Sequence, residues 1–317
     1  MKHKNYINNE WLDAQNGSTF DVENPFTEEI IAQIPLSGAD DVDAAVQAAK
    51  SAWKEWKMLG SLDMRDLLRE VAVKSRVNDR QLAEVITHES GKPLIECLDE
   101  IEWIASIFEY YSEIGRDQRG RVVAPVTPRS MSMVVKEAYG VVGCIVPWNY
   151  PLLLMAWKVA PAMAAGNTVV VKPSEVTPLS IMLWLEMCCD HLPKGILNMV
   201  TGYGETGAAL VEHSDTRVIA FTGSVDTGKK IASMAATQLK KTSLELGGND
   251  PIIICDDVDI EIAAKGTTWG GLLNGGQVCT SLERVFVMES VAGAFIEAVV
   301  EEVKKVRLGD PMNGQTD

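Results

Sequence analysis

The chain has 317 residues, of which 46% are hydrophobic, and it carries a formal net charge of −15 at neutral pH. Its size allows a buried core and two domains. The acidic charge predicts no nucleic-acid or membrane partner, because both surfaces attract clustered Lys and Arg. The sequence has no apolar run near the roughly 18 residues of a spanning helix and no signal-peptide core, so the expected location is cytoplasmic.

The cysteine and histidine contents predict reduced thiols and no metal site. Six cysteines are too sparse for a disulfide scaffold. The four histidines are scattered, and paired ligands at the short spacing of a metal site are absent from the sequence. The cysteines are Cys97, Cys144, Cys188, Cys189, Cys255 and Cys279.

The N-terminal region begins with strand patterns and then turns helical. Strand-like segments occupy 4–11 and 28–35. Apolar residues recur at helical spacing over 40–56, and Asp40 and Asp41 can cap that helix. A helix packed on a core is expected there.

Two more helices and an extended excursion follow. Helical patterns cover 64–90 and 101–118, and the first ends at Gly91 because the nearby proline cannot continue it. The segment 121–136 contains two prolines and is predicted to be an extended excursion that joins this region to the next. It could pair with another element, and its predicted role is oligomerisation or bridging.

The middle of the chain alternates apolar strands with helices. Continuous Val and Ile runs are typical of parallel strands that are covered on both faces. The predicted fold is α/β, with a doubly wound parallel sheet over 1–246 and a second α/β unit over 247–317. Four strand patterns support it: 141–147, 168–173, 196–202 and 218–223.

A literal G-x-G-x-x-G occurs at Gly202, Gly204 and Gly207, after a strand and at the start of a helix. A dinucleotide-binding fingerprint also needs an acidic residue about 20 positions later, at the end of the next strand. Asp226 is the nearest candidate, but it lies past that strand. The pattern alone therefore leaves the cofactor interpretation open.

Two other strand ends could bind a nucleotide. The strand over 218–223 runs into a helix start with small residues, where free N–H groups and the helix dipole would receive a pyrophosphate; an ordinary Ser-capped helix is the alternative. Lys172 and Glu175 close another strand, where they could bind ribose hydroxyls or form a solvated loop pair.

Cys279 lies in a glycine-flanked loop, Gly275 to Thr280, between a helix and a strand. Glycines let backbone approach a ligand, and a loop thiol is accessible to substrate. A buried structural cysteine is the alternative, and it is preferred for Cys255, which is assigned to a strand. Cys279 is the candidate nucleophile.

Five motifs in register resemble the aldehyde dehydrogenase superfamily. They are PWNYP at 147–151, KPSE at 172–175, FTGS at 221–224, LELGG at 244–248 and GQVCT at 276–280. Segments of the N-terminal half, among them ESGKP at 89–93, are similar as well, so the resemblance covers essentially the whole chain.

The resemblance implies a cysteine thioester mechanism. Cys279 would attack the aldehyde, Asn149 would stabilise the oxyanion and Glu245 would activate water. Lys158 resembles a proton-relay lysine. The alternatives, a turn residue for Asn149 and a solvated strand end for Glu245, carry less weight once the motifs are in register.

The resemblance also implies NAD as cofactor, with NADP possible. The pyrophosphate would lie at the helix after FTGS, the ribose near KPSE and the adenine end near Gly204, while a Glu in KPSE would repel a 2′-phosphate. The cofactor-binding residues expected on this basis are Val146, Pro147, Trp148, Lys172, Ser174, Glu175, Gly204, Phe221, Gly223, Ser224, Thr227 and Leu246.

Members of the family continue well past the equivalent of Asp317, so a C-terminally truncated chain is expected. The resemblance implies that 1–246 is the NAD-binding domain and that 247–317 is the N-terminal part of an incomplete catalytic domain. Three alternatives follow: aldehyde oxidation, a CoA-acylating variant that the presence of Glu245 disfavours, and a catalytically incompetent homologue that binds only nucleotide or a partner. The expected partner is a small-molecule aldehyde, and Tyr150 and Trp157 could form an aromatic wall for a quaternary ammonium aldehyde. Full-length members are expected to be homo-oligomers, which leaves the assembly of this chain open.

Overall fold

The computed structural model of the protein describes residues 1–117 and 119–317. Gln118, the last residue of the helix predicted over 101–118, lies outside the described residues. The N-terminal part contains two antiparallel strand pairs followed by four helices. Its elements are β1 Asn5–Ile7, β2 Glu10–Leu12, β3 Thr19–Asn24, β4 Glu29–Pro35, α1 Ala39–Trp56, α2 Ser61–Val77, α3 Asp79–Ser90 and α4 Leu94–Ile114.

The remainder of the chain alternates strands and helices, as the sequence predicts. Short 3-10 helices at Gly115–Asp117 and Leu273–Gly276 adjoin α4 and α9. The elements are β5 Arg121–Val123, β6 Ser132–Val134, β7 Val141–Ile145, α5 Pro151–Ala164, β8 Thr168–Lys172, α6 Leu179–Cys188, β9 Leu197–Met199, α7 Gly204–Glu212, β10 Thr216–Gly223, α8 Val225–Ala236, β11 Lys241–Leu246, β12 Asp250–Ile254, α9 Ile260–Leu272, β13 Leu282–Val287 and α10 Glu289–Val303.

Helix α1 buries the apolar face that its spacing predicts, but its cap differs from the prediction. The N-cap residue is Gly38, and Asp40 and Asp41 lie inside the first turn. The Asp41 carboxylate still satisfies the helix start, since it accepts a hydrogen bond from the Gly38 N–H at 3.0 Å. The acidic pair therefore stabilises the N-terminus from within the helix.

The single helix predicted over 64–90 is two helices, α2 and α3, which are separated at Asn78. The Asn78 side chain donates to the Lys74 carbonyl at 2.8 Å, and its backbone leaves the helical region at φ −107° and ψ 17°. Asparagine competes for backbone groups in this way, so it breaks a helix that hydrophobic periodicity alone would continue. Helix α3 ends at Gly91, as predicted, with a left-handed φ of 73°.

A seven-stranded sheet forms the centre of the molecule, in the order β11-β10-β7-β8-β9-β1-β2. Its five strands from β7 to β11 are parallel, which confirms the predicted α/β class. All residues of β7, β8 and β9 are buried. Alternate side chains of β7 enter two hydrophobic clusters on opposite faces. Val142 belongs to the cluster that contains residues of α2 to α6, and Val141 belongs to the cluster that contains residues of α1, α7 and α8. The sheet is therefore wound on both sides.

The chain leaves this sheet at Leu246 and enters a separate two-stranded parallel sheet at Asp250, where β12 pairs with β13. The division into domains 1–246 and 247–317 is consistent with that change of sheet and stays a prediction. Strands β5 and β6, within the predicted excursion over 121–136, pair with each other in an antiparallel hairpin whose side chains are mostly exposed. A role for it in oligomerisation also stays a prediction.

The described part of the chain contains neither a candidate membrane-spanning helix nor a candidate metal-binding cluster. None of the helices within 1–117 and 119–317 combines the length and the apolar character that a membrane crossing requires. Within the same residues, His, Cys, Asp and Glu side chains do not gather in threes in a way that could hold a metal ion.

Candidate active site

The carboxyl ends of β7, β8, β10 and β11 meet at one edge of the large sheet, because these strands are parallel neighbours. Ligands of open α/β sheets bind at this edge. The carboxyl ends of these four strands and the loops that follow them carry the motifs PWNYP, KPSE, FTGS and LELGG. The topology thus brings together segments that lie up to about a hundred residues apart in the sequence.

A cavity of about 350 Å³ lies at this edge. It is bounded by the loops after β7, β10 and β11 and by the loop that carries the candidate nucleophile. Seven of the sequence-predicted site residues line it: Pro147, Trp148, Asn149, Gly223, Ser224, Leu246 and Cys279.

Cys279 differs from most of the other cysteines in its exposure. Four of the six are buried, and burial raises the pKa of Cys97, Cys144 and Cys188 to about 12. Cys279 and Cys255 are exposed. The assignment of Cys255 to a strand is wrong by one residue, since β12 ends at Ile254.

The loop before Cys279 has an unusual backbone. Gly275 and Gly276 have φ values of 63° and 79°, and Asn274 adopts the same left-handed region with a φ of 51°. Glycine and asparagine tolerate this conformation best. From the other side, a Cβ atom placed on Gly248 would lie 3.2 Å from the Cys279 carbonyl oxygen, so the LELGG segment packs closely against the nucleophile loop.

Asn149 immediately precedes the N-terminal turn of α5 and contacts the nucleophile loop directly. Its side-chain amide donates a hydrogen bond to the Gln277 carbonyl at 2.9 Å. An amide nitrogen has two protons, so a second donor remains for a substrate oxygen in the cavity.

Glu245 and Lys158 adjoin the cavity without lining it. Glu245 pairs in register with Thr222, a lining residue on the neighbouring strand. The buried Lys158 ammonium donates to the Thr222 hydroxyl and, at 3.3 Å, to the Leu154 carbonyl. Burial lowers the pKa of Lys158, while the nearby Glu245 carboxylate opposes that effect. Lys158 is therefore electrostatically linked to the candidate general base.

The residues predicted to contact the ribose and adenine form a second group. The Lys172 ammonium lies 3.2 Å from the Glu175 carboxylate, and burial lowers the pKa of Lys172 against the effect of that carboxylate. Glu175 also lines a cavity of about 300 Å³ together with Tyr203, the residue before Gly204. Ser174 is buried and accepts a hydrogen bond from the Val176 N–H at 3.3 Å.

Ser224 caps α8. Its hydroxyl oxygen accepts from the Thr227 N–H at 3.2 Å and donates to the Thr227 hydroxyl at 2.9 Å. The capping alternative is thus present in the structure, and both side chains remain exposed at the helix N-terminus. Val146 and Phe221 do not reach the 350 Å³ cavity; both are buried, and the Val146 N–H donates to the Lys172 carbonyl.

Three residues near Asn149 were not among the site residues predicted from the sequence. Lys92 and Glu100 form an ion pair whose side chains are completely buried, and Asn274 is 3% exposed. Lys92 and Asn274 both donate to the Asn149 carbonyl, at 3.3 and 3.0 Å. Lys92 belongs to the ESGKP segment and Asn274 precedes GQVCT, so nearness to two motifs was the only sequence signal.

Comparison with known proteins places the chain in a family. The model of the aldehyde dehydrogenase family matches residues 11–317. The chain belongs to this family. It is 40% identical to a betaine aldehyde dehydrogenase of Oryza sativa over 97% of its own length, and 39% identical to a chloroplastic aminoaldehyde dehydrogenase of Arabidopsis thaliana.

Solved structures give the same result. An NADP-dependent enzyme of E. coli superposes with a TM-score of 0.97 at 35% identity, and the match covers 99% of this chain and 66% of that one. A betaine aldehyde dehydrogenase of Staphylococcus aureus in complex with NAD+ superposes with a TM-score of 0.96 at 35% identity, covering 100% and 65%. The chain spans 63% of the length of the plant relatives.

Proposed function

We propose that the chain carries the nucleophile and the cofactor-binding edge of an NAD(P)-dependent aldehyde dehydrogenase that oxidises an aldehyde to a carboxylate. The observation that carries this proposal is the placement of an exposed Cys279 beside Asn149 in one cavity at the carboxyl edge of a parallel sheet. Family membership makes aldehyde oxidation the expected chemistry.

In the proposed reaction, the Cys279 thiolate adds to the aldehyde carbonyl and forms a thiohemiacetal. The developing oxyanion accepts hydrogen bonds from the free amide proton of Asn149 and from the Cys279 N–H. Loss of hydride from the former aldehyde carbon then leaves a thioester on Cys279. Glu245 removes a proton from a water molecule that attacks the thioester, which releases the carboxylate and regenerates the thiol.

The residues at this edge fit a nicotinamide dinucleotide, which when bound accepts the hydride. The N-terminus of α8 is exposed and borders the cavity through Gly223 and Ser224, so a pyrophosphate can approach the positive end of this helix. Lys172 and Glu175 can bind ribose hydroxyls, and the Glu175 carboxylate repels a 2′-phosphate. NAD is the proposed cofactor and NADP a possible one, and related structures include enzymes of both kinds.

The substrate proposal is a cationic aldehyde. Support comes from the names of the plant relatives, which are betaine aldehyde and aminoaldehyde dehydrogenases. Trp148 lines the cavity, and Trp157 lies 51% exposed on α5. Both indoles could attract a quaternary ammonium group. Tyr150, also considered for an aromatic wall, is 5% exposed and packs under the Lys92 ammonium.

A matched pair of aldehydes tests the substrate proposal. Betaine aldehyde and 3,3-dimethylbutanal have nearly the same shape and differ in charge. We expect kcat/KM to be roughly 3- to 30-fold higher for betaine aldehyde than for 3,3-dimethylbutanal, because a cation–π contact contributes free energy in that range. NADH absorbance measures both rates. Trp148→Leu should lower that ratio, while Trp269→Leu, exposed on α9 outside the cavity lining, should not. Equal rates for the two aldehydes would contradict the proposal.

The second candidate is a homologue that binds nucleotide or a partner without catalysis. It rests on the α8 N-terminus and the Lys172–Glu175 pair, which could bind a dinucleotide whether or not Cys279 reacts. Incubation of the 317-residue chain with NAD and a panel of aldehydes separates the two functions. NADH formation supports the enzyme, whereas NAD binding without turnover supports the binding protein.

A further inference from the structure

The buried Asn274 side chain takes part in the hydrogen bonds between the loop that carries Asn149 and the loop that carries Cys279. The Asn274 amide donates to the Asn149 carbonyl at 3.0 Å and to the Gln277 carbonyl at 3.4 Å. The Asn149 side chain in turn donates to the same Gln277 carbonyl. Asn274 therefore links the two segments whose relative position determines the distance between nucleophile and oxyanion donor.

A buried ion pair supports the Asn149 side of this link. Lys92 donates to the Asn149 carbonyl and pairs with Glu100. The second Glu100 oxygen accepts the Leu152 and Leu153 N–H groups, both at 2.9 Å, at the N-terminus of α5. These contacts fix the start of α5, which begins two residues after Asn149. Such an arrangement restrains both the backbone and the direction of the Asn149 side chain.

The backbone of Asn274 is held as firmly as its side chain. Its N–H donates to Glu96 at 2.9 Å, and its carbonyl accepts from the Gln277 side chain at 2.9 Å. Asn274 also keeps a left-handed φ of 51°, a conformation that needs support from the surrounding structure in a residue other than glycine. Each of these hydrogen bonds therefore connects Asn274 to the Asn149 loop, the Cys279 loop or α4.

We propose that Asn274, supported by the Lys92–Glu100 pair, is a positioning residue that orients the Asn149 amide toward the carbonyl oxygen of a substrate bound to Cys279. The inference rests on the proposed function, because it concerns the oxyanion donor of that reaction. Asn274 acts through Asn149 and touches neither substrate nor cofactor.

Asn274→Gly is the variant of choice. Glycine removes the amide and tolerates the left-handed backbone. Both carbonyls keep a donor, since Lys92 still reaches the Asn149 carbonyl and Asn149 still reaches the Gln277 carbonyl. The fold is therefore expected to survive. A substitution of Lys92 would instead leave a buried unpaired carboxylate, which is strongly destabilising.

Asn198→Ala is the matched control. Asn198 is fully buried on β9, and its amide also donates to two backbone carbonyls, those of Gly195 at 2.7 Å and Val169 at 3.4 Å. Asn198→Ala removes hydrogen bonds of the same type, from a buried amide to backbone carbonyls, at a site away from the cavity. An effect of buried-amide loss in general would appear in both variants.

Acylation of Cys279 by p-nitrophenyl acetate measures the oxyanion donor without hydride transfer. We expect Asn274→Gly to slow p-nitrophenol release by roughly 10- to 100-fold, the cost of a misplaced catalytic group, with a lower kcat and little change in KM. In an Asn149→Ala background the same substitution should have little further effect. Full additivity of the two losses would overturn the proposal, and so would equal slowing by Asn198→Ala.

Hydrogen exchange provides a readout that requires no turnover. Segments 147–150 and 275–279 should both exchange faster in Asn274→Gly and remain unchanged in Asn198→Ala; unchanged exchange in both segments would overturn the link. If the 317-residue chain forms no NADH but Cys279 is still acylated, the proposed aldehyde oxidation is rejected and the positioning role of Asn274 is not. Failure of acylation itself would reject the positioning role.

Discussion

Exposure separates the candidate nucleophile from the buried cysteines, and Cys255 provides an internal comparison for it. Both thiols are exposed, but of these two cysteines only Cys279 lines the 350 Å³ cavity. We expect Cys279→Ala to abolish both aldehyde oxidation and ester acylation, because a covalent mechanism has no substitute for its nucleophile. Cys255→Ala should retain both activities. The measurement is NADH formation together with mass analysis of the acylated chain; undiminished activity in Cys279→Ala would place the nucleophile elsewhere.

The sequence predicted the residues that touch the cavity better than the residues that hold them. Cys279 and Asn149 lie within motifs whose order along the chain was informative, and seven predicted residues line one cavity. Lys92 and Asn274 contact the Asn149 carbonyl across 57 and 125 residues. Such contacts depend on how α4, α5 and the nucleophile loop pack, and local spacing contains no information about that packing.

At the scale of elements, hydrophobic periodicity identified strands and helices but not their polar boundaries. The Val-rich strands were predictable because both faces are buried and their side chains are uniformly apolar. The break at Asn78 and the cap at Gly38 were missed, since each depends on a single side-chain-to-backbone hydrogen bond. The hairpin of β5 and β6 was predicted only as extended chain, because its partner strand could not be read from the pattern.

Helix α6 has a cap that makes stability depend on pH. The buried Glu89 carboxylate accepts the Leu179 and Ser180 N–H groups at 2.6 and 3.0 Å. Burial raises the pKa of Glu89 from 4.5 to about 8, although these hydrogen bonds oppose the shift. The folded state therefore binds this proton more tightly than the unfolded state. The resulting stabilisation is complete below pH 4.5 and is lost as the pH rises toward 8.

Glu89→Gln should consequently reduce the decline in the free energy of unfolding between pH 5 and pH 8. The substitution should remove at most about 5 kcal/mol of that decline, because each unit of the pKa shift of Glu89 from 4.5 to about 8 corresponds to about 1.4 kcal/mol. Urea unfolding at several pH values measures it. Glu205→Gln, in the exposed first turn of α7, is the control and should keep the pH dependence of the unsubstituted chain. An unchanged slope in Glu89→Gln would show that another group causes the decline.

At the scale of the whole molecule, the parallel order of the sheet assembles the site. Adjacent strands β7, β8 and β10 end at one edge, so loops from distant parts of the chain meet there. The cavity beside Cys279 and the cavity beside Glu175 lie at the loops of different strands. In the proposed assignment, an extended dinucleotide places its nicotinamide end at the first group of residues and its adenosine end at the second.

Cofactor binding should therefore stabilise the entire chain, and its selectivity should depend on Glu175. At a concentration 100 times Kd, NAD would add about 2.7 kcal/mol, which raises Tm by roughly 5 °C in a protein of this size. NADP should raise Tm less, because the Glu175 carboxylate repels its 2′-phosphate. Glu175→Gln should narrow the difference by increasing NADP affinity about tenfold, equal to about 1.4 kcal/mol.

Calorimetry of the unsubstituted chain, Glu175→Gln and the control Glu212→Gln, each with NAD and with NADP, tests the cofactor assignment independently of turnover. Glu212 is exposed at the far end of α7, so its substitution changes the net charge equally without altering the ribose site. Cys279→Ala should respond to NAD like the unsubstituted chain, because the thiol belongs to the reaction and not to dinucleotide binding. If the selectivity of Glu175→Gln equals that of Glu212→Gln, discrimination between the two cofactors lies outside the KPSE segment.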